Sequence, residues 1–223
     1  VPSHHVVLAF GNFDPPHPSV ADLTFIDSPD YFQNPWGADL YESIAANDTV
    51  FIVGTGLSMT DVALQLNKTG HNGKISAIST RGLLPAVHKL GFSYPSFYDE
   101  IKSFSRITDI LKAVRRHSKL ADTGGSNWRA VIDSLRPDTQ RIWLGLPLAE
   151  KRYFMQHLSR YWNVARHRMP AEVAAVLDEM RTNGKLEILR GRLKAIDATD
   201  AGFDITFTLD GVEEHASANI LVN

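Results

Sequence analysis

The chain has 223 residues, a formal net charge of −2 and 43% hydrophobic residues. It is long enough for one large domain, or one domain carrying an insertion, and too near neutrality for its overall field to draw it to nucleic acid or an anionic membrane. It has no cysteine, which excludes disulfides, cysteine nucleophiles and zinc–thiolate sites. No apolar run approaches the length of a membrane span and no signal-peptide pattern opens the chain, so a cytoplasmic location is expected.

In chain order, Val1-Pro2-Ser3-His4-His5 leads almost at once into a buried-type strand, Val6–Ala9. Gly11-Asn12 and a proline-rich connector, Asp14–Pro18, follow, and should be turned or extended. Residues 19–48 are mixed, with Tyr31, Phe32 and Trp36 as expected buried anchors and Asp39–Ala46 as an expected short helix.

The run from Thr49 to Asp61 carries the most information. An apolar strand, Val50–Val53, runs into Gly54-Thr55-Gly56, and an amphipathic stretch follows with Met59, Val62, Ala63 and Leu66 on one helical face. Strand, glycine turn and helix in that order are what a dinucleotide-binding βαβ unit requires. Gly54 permits the tight turn, Gly56 lets a pyrophosphate approach the backbone, and the helix start offers free N–H groups and a partial positive charge. Gly54, Thr55, Gly56, Leu57, Ser58 and Met59 are therefore candidate cofactor-binding residues. Met59 occupies the position where the fingerprint normally has a small residue.

A second strand is predicted over Lys74–Ser79, after the turn Gly70–Gly73. It ends roughly twenty-odd residues past the first glycine, where the ribose-reading residue belongs. Ser79-Thr80-Arg81 stands there in place of a carboxylate. Hydroxyls and a guanidinium suit a 2′-phosphate better than a 2′-hydroxyl, so NADP(H) is expected over NAD(H). The alternative is an α/β unit with a glycine turn and no ligand.

Helical patterns then dominate. Ser96–His117 carries the stripe Phe97, Ile101, Phe104, Ile107, Ile110, Leu111 and Val114, and Arg115-Arg116-His117 reads as a charged helix end. Asn127–Leu135, Leu148–Tyr161 and Pro170–Thr182 are three further predicted helices. Arg160–Arg168, with Tyr161 and Trp162, is either a buried aromatic pair beside a solvated basic turn, an anion contact for cofactor or substrate, or a nucleic-acid surface. From Leu186 the period becomes two. Strands are predicted at Leu186–Arg190, Arg192–Ala198, Phe203–Leu209, Val212–Ala216 and Ile220–Val222, with turns at Asp200-Ala201-Gly202 and Asp210-Gly211. There is no Gly-x-Ser-x-Gly elbow, no His-Glu-x-x-His pair and no metal-ligand spacing among the nine histidines. No catalytic residue and no metal ligand is assigned.

Four stretches together resemble the FAD/NAD(P)-binding proteins of bacterial dehydrogenase type, a branch of the two-dinucleotide flavoprotein superfamily. Val7–Asn12 with Pro15-Pro16 resembles the strand joining the FAD and NAD(P) domains. Ile52–Asp61 resembles the glycine motif, Ser79–Pro85 the segment after the second strand, where Thr80 replaces a second arginine, and Asn163–Pro170 the helical insertion. The resemblance implies an α/β, Rossmann-like three-layer core with a parallel sheet, a helical insertion and a C-terminal β-meander. It divides the chain into a connecting strand and linker (1–48), a βαβ unit (49–95), a helical insertion (96–184) and a β-meander returning to the sheet (185–223). It adds Gly11 and Asn12 as candidate cofactor contacts, with Phe10 replacing the threonine of that pattern.

Both ends look cut, and Gly54-Thr55-Gly56 is the chain's one Gly-x-Gly. The resemblance therefore implies FAD in a full-length protein and most of the FAD site lost from this fragment. The implied function is the NAD(P)-binding portion of a flavin-dependent oxidoreductase, with NADPH positioned for hydride transfer to FAD. The other reading is a non-catalytic nucleotide-sensing or protein-interaction module that retains the fold.

Overall fold

The computed structural model describes residues 14–37 and 40–223. The expected strand Val6–Ala9 and the candidate residues Gly11 and Asn12 lie outside the described residues. The chain divides into two compact units, one built from the residues up to Gly82 and again from Asn183–Asn223, the other from Leu83–Thr182.

The first unit is α/β. In chain order it contains β1 (Tyr31–Phe32), α1 (Leu40–Ser43), β2 (Val50–Val53), α2 (Leu57–Lys68), β3 (Ile75–Ser79), β4 (Leu186–Thr199), β5 (Gly202–Leu209), β6 (Val212–Ala218) and β7 (Ile220–Val222). They form one seven-stranded sheet in the order β1-β7-β2-β3-β4-β5-β6. β2 and β3 are parallel, from Val50↔Ile75 to Val53↔Ile78, and β7 lies parallel on the other side of β2. The expected parallel pair is present.

The parallel strands are apolar because both their faces are covered. The crossover helix α2 buries Met59, Val62, Ala63 and Leu66. On the opposite face Phe51, Ile78 and Leu221 pack with Ile196, Phe203, Ile205 and Phe207 from the meander and with Phe25. The meander reaches that face because β4 is one strand with two partners. Leu186–Arg190 pairs in parallel with β3, and the residues from Gly191 onward pair antiparallel with β5. Any side chain at Gly191 would collide with the Thr208 carbonyl, so glycine permits the close approach there. The sequence pattern predicts two strands here; the structure has one continuous strand that changes partner at Gly191 and carries a register shift between Leu193 and Ala195. The Asp210-Gly211 turn has both residues at positive φ, 48° and 90°, as a two-residue hairpin loop requires.

Of the three anchors expected in the N-terminal part, Phe32 is buried, Tyr31 is half-buried and one is corrected. Tyr31 and Phe32 anchor the unit as an edge strand beside β7, through Tyr31↔Leu221 and Phe32↔Val222. Trp36 is 65% exposed and is no buried anchor.

The second unit is helical: α3 (Tyr98–Ile101), α4 (Ile107–Thr123), α5 (Trp128–Ser134), α6 (Thr139–Gly145), α7 (Leu148–Tyr153), a π-helical turn Phe154–Leu158, α8 (Ser159–Arg166) and α9 (Ala171–Thr182). The predicted helix Ser96–His117 is broken. Its stripe is real, since Phe97, Ile101, Ile107 and Ile110 share one core with Val131, Leu135 and Leu146. The helix restarts at Ile107 because the Glu150 carboxylate accepts the Ile107 N–H at 2.8 Å, a remote N-terminal cap of favourable charge. Arg115-Arg116-His117 consequently lies inside α4, not at its end. Arg116 and His117 both bond Glu100, and His117 stacks on Phe97 with ring centroids 4.0 Å apart. Among the described residues no helix is long and apolar enough to cross a membrane.

Candidate functional site

The C-terminal ends of parallel strands are where α/β sheets bind ligands. In this chain the turns after β2 and β3 meet there. Gly54 closes the β2 ladder through its N–H to the Ile78 carbonyl at 2.8 Å, and has a φ of +115° that favours glycine. Gly56 is the N-cap of α2, with extended backbone and no side-chain cap bond. Its φ is ordinary, and a Cβ placed on it would meet nothing within 4 Å. The fold therefore explains glycine at position 54 and leaves position 56 without an internal reason for one.

Two hydroxyls tie the turns together. Thr55 is buried, and its Oγ1 lies 2.8 Å from Ser79 Oγ. Ser79 Oγ also accepts the Gly82 N–H at 3.0 Å. The segment after β3 is thus folded back on itself, with Gly82 at a φ of +58°. Thr80 and Arg81 stand exposed at its tip. Arg81 takes part in no ion pair among the described residues. Leu57 and Ser58 are exposed at the start of α2, and Met59 is 2% exposed. The candidate residues thus separate into a surface formed by Gly56, Leu57, Ser58, Thr80 and Arg81, and supports beneath it formed by Thr55, Ser79 and Met59.

Sequence reasoning passed over Arg190 and Asp61. Arg190 is the register partner of Ser79 on β4, a relation set by strand pairing across more than a hundred residues of chain. Asp61 sits one turn into α2, where partial burial raises its carboxyl above the usual range; Tyr41 is raised by its own burial and then by the Asp61 charge.

The Arg160–Arg168 cluster belongs to the helical unit and divides by burial. The Arg168 side chain is 1% exposed, and both its terminal nitrogens reach the Asp133 carboxylate, at 2.8 and 3.2 Å. It also donates to the carbonyls of Ala165 and Arg129 and lies over the Trp128 ring, as does Arg129. Its hydrogen-bonding capacity is largely used inside the unit, so Arg168 is structural. Arg160 bonds the Gln156 carbonyl in the π-helical turn that precedes α8.

No family model matches the sequence, and no curated protein matches it. Solved structures of similar architecture include a reduced ornithine hydroxylase from Pseudomonas aeruginosa, 12% identical, covering 88% of this chain and 39% of that one, with a TM-score of 0.46. A lysine monooxygenase from Nocardia farcinica, in an unprecedented NADPH-domain conformation, is 13% identical over 87% of this chain and 36% of that one, with a TM-score of 0.42. The Kutzneria sp. 744 ornithine N-hydroxylase with reduced FAD, NADP+ and L-ornithine is 13% identical over 82% and 37%, with a TM-score of 0.39. This chain spans less than two-fifths of the length of each. The functional reading accordingly rests on the geometry of the site.

Proposed function

We propose that the α/β unit binds NADP(H) across the turns after β2 and β3, as the NAD(P)-binding portion of a flavin-dependent oxidoreductase. The observation that carries this reading is Gly56: a glycine in ordinary backbone geometry, facing open space, at an uncapped helix start beside a turn that does need its glycine. A pyrophosphate seated against that backbone supplies the missing reason for it. The first-turn N–H groups of α2 would receive the phosphates. The Thr55–Ser79 pair holds the two turns at fixed separation, and Arg81 offers a guanidinium to a 2′-phosphate. When bound, the nicotinamide would supply a hydride to FAD held by the full-length protein. In this reading the residues described here bind and orient, and none acts as acid, base or nucleophile.

The test is Gly56→Val, read by calorimetric titration with NADP+ and by urea unfolding. A branched side chain fills the space the pyrophosphate needs, so binding is lost. Unfolding should shift by only about 1 kcal/mol, the cost of a poorer N-cap residue. Wild-type affinity in the variant would remove Gly54–Ser58 from consideration as a phosphate site.

A further inference from the structure

We propose that Arg190 is a second specificity residue, forming with Arg81 a two-guanidinium seat for the 2′-phosphate of NADP(H). The inference rests on the dinucleotide reading above and names a contributor to that site that the sequence motif does not contain.

Three observations carry it. First, register: Ser79 and Arg190 are Cα partners in the parallel β3–β4 ladder, so their side chains leave adjacent strands on the same face, about 5 Å apart. Ser79 already points at Thr55, which fixes that face as the one bearing the glycine turn. Second, the segment after β3 folds over Arg190. A Cβ on Gly82 would stand 3.1 Å from the Cβ of Arg190, so Arg190 emerges directly beside the fold-back that presents Thr80 and Arg81. Third, its charge is unspent. Arg190 is exposed and enters no ion pair among the described residues, and the same holds for Arg81. The acidic side chain on the same stretch of β4, Glu187, is paired with Lys74 at 2.7 Å, near the opposite end of the parallel strands.

Two exposed guanidinium groups presented at one strand end repel each other modestly, and an anion between them turns that repulsion into attraction. A phosphate dianion fits that arrangement, because each guanidinium can present two parallel donors to its oxygens. A ribose 2′-hydroxyl brings no charge and gains little from either arginine.

The experiment uses the whole chain and two probes, adenosine 2′,5′-bisphosphate and 5′-AMP, titrated by calorimetry against wild type, Arg190→Ala, Arg190→Lys and the control Lys194→Ala. Arg190→Ala should weaken the bisphosphate by roughly tenfold and leave 5′-AMP unchanged. Arg190→Lys should recover part of the loss, because charge remains and the planar fork does not. Lys194→Ala, which removes a charge farther along the same strand, should change neither probe. If Arg81 and Arg190 hold one phosphate, the effects of Arg81→Ala and Arg190→Ala will not add. A wild type that prefers the bisphosphate, with Arg190→Ala keeping that preference in full, overturns the role of Arg190 and leaves the dinucleotide reading standing. A wild type that binds neither probe overturns both. Equal losses in Arg190→Ala and Lys194→Ala reduce the effect to general charge and also overturn the proposal.

Discussion

Gly56 and Gly73 stand at opposite edges of the same parallel sheet and are glycines for different reasons. Gly73 precedes β3. A Cβ there would run into the Asp48 carbonyl, and the backbone N–H groups of Asn72 and Gly73 both reach the Ala46 carbonyl, at 2.6 and 3.2 Å. Around it most polar groups are spent on one another, the buried His71 ring apart. Asn219 accepts from both Thr49 N and Thr49 Oγ1, the Asp48 carboxylate accepts the Ala45 N–H, and Lys74 pairs with Glu187. A Cβ on Gly56, at the other edge, would touch nothing; Gly56 caps a helix without a side chain, and among the described residues Arg81 and Arg190 enter no ion pair. One edge is closed by its own chain, and the other is left with donors and charge to spare. Unspent polar capacity, more than glycine content, distinguishes the edge proposed to bind from the one closed on itself.

The sharpest contrast is between arginines. Arg168 is buried with its donors placed on Asp133 and two backbone carbonyls. Asp133→Ala would strand a buried guanidinium and should cost about 3 kcal/mol of stability in urea unfolding. A loss below about 1 kcal/mol would mean that Arg168 turns out to solvent and belongs with the unspent group after all. Gly73→Ala comes next, at about 2–3 kcal/mol, because the Asp48 carbonyl is backbone and can move only with the chain leading into β2. Its remaining folded fraction should bind NADP+ as wild type does. If it unfolds no more readily than wild type, the closed edge is not closed by close packing.

Arg81→Ala should leave unfolding unchanged and reduce the NADPH-to-NADH affinity ratio roughly ten- to a hundredfold. It breaks the comparison if stability falls and the ratio holds, for then Arg81 serves the fold.

The structure makes clear which of these features local pattern can carry. β2, the start of α2 and β3 are legible because apolar runs, glycine turns and helical stripes are short-range signals. Features set by partners distant in sequence are not. β1 is two residues long and exists because β7 lies beside it. α4 begins where Glu150 caps it. β4 passes through Gly191 unbroken because the meander must double over Phe51 and Leu221. The helix Thr139–Gly145 follows a short 3₁₀ turn containing Pro137, and a proline there reads locally as a stop. Arg190 stands beside Ser79 through register alone. Arg168 sits among Arg160, Arg166 and His167 in sequence, and its burial is decided by Asp133 and Trp128.

The smallest expected effect concerns His71, beside Gly73 at the closed edge. Its ring is 4% exposed; the Ala45 and Asp48 carbonyls lie near its nitrogens, but neither completes a hydrogen bond of good geometry. Burial lowers its pKa below the ordinary 6.5; the nearby Ala45 and Asp48 carbonyls and the Asp48 carboxylate oppose the shift without reversing it. The folded state therefore takes up a proton less readily than the unfolded chain does. Stability from the neutral ring is complete above the unfolded value of 6.5, declines as pH falls below it, and is fully lost only below the depressed folded value. The comparison variant is His71→Leu, close in volume and without a group that titrates. At pH 7.5 its unfolding midpoint should match or exceed wild type, since an unpartnered buried ring has been replaced by an apolar group. As pH is lowered from 6.5 the wild type should lose stability faster than the variant, and the difference between the two curves isolates His71 from carboxylates that titrate in both. Parallel curves would mean that His71 finds a proton acceptor, and that the closed edge retains a polar group able to act.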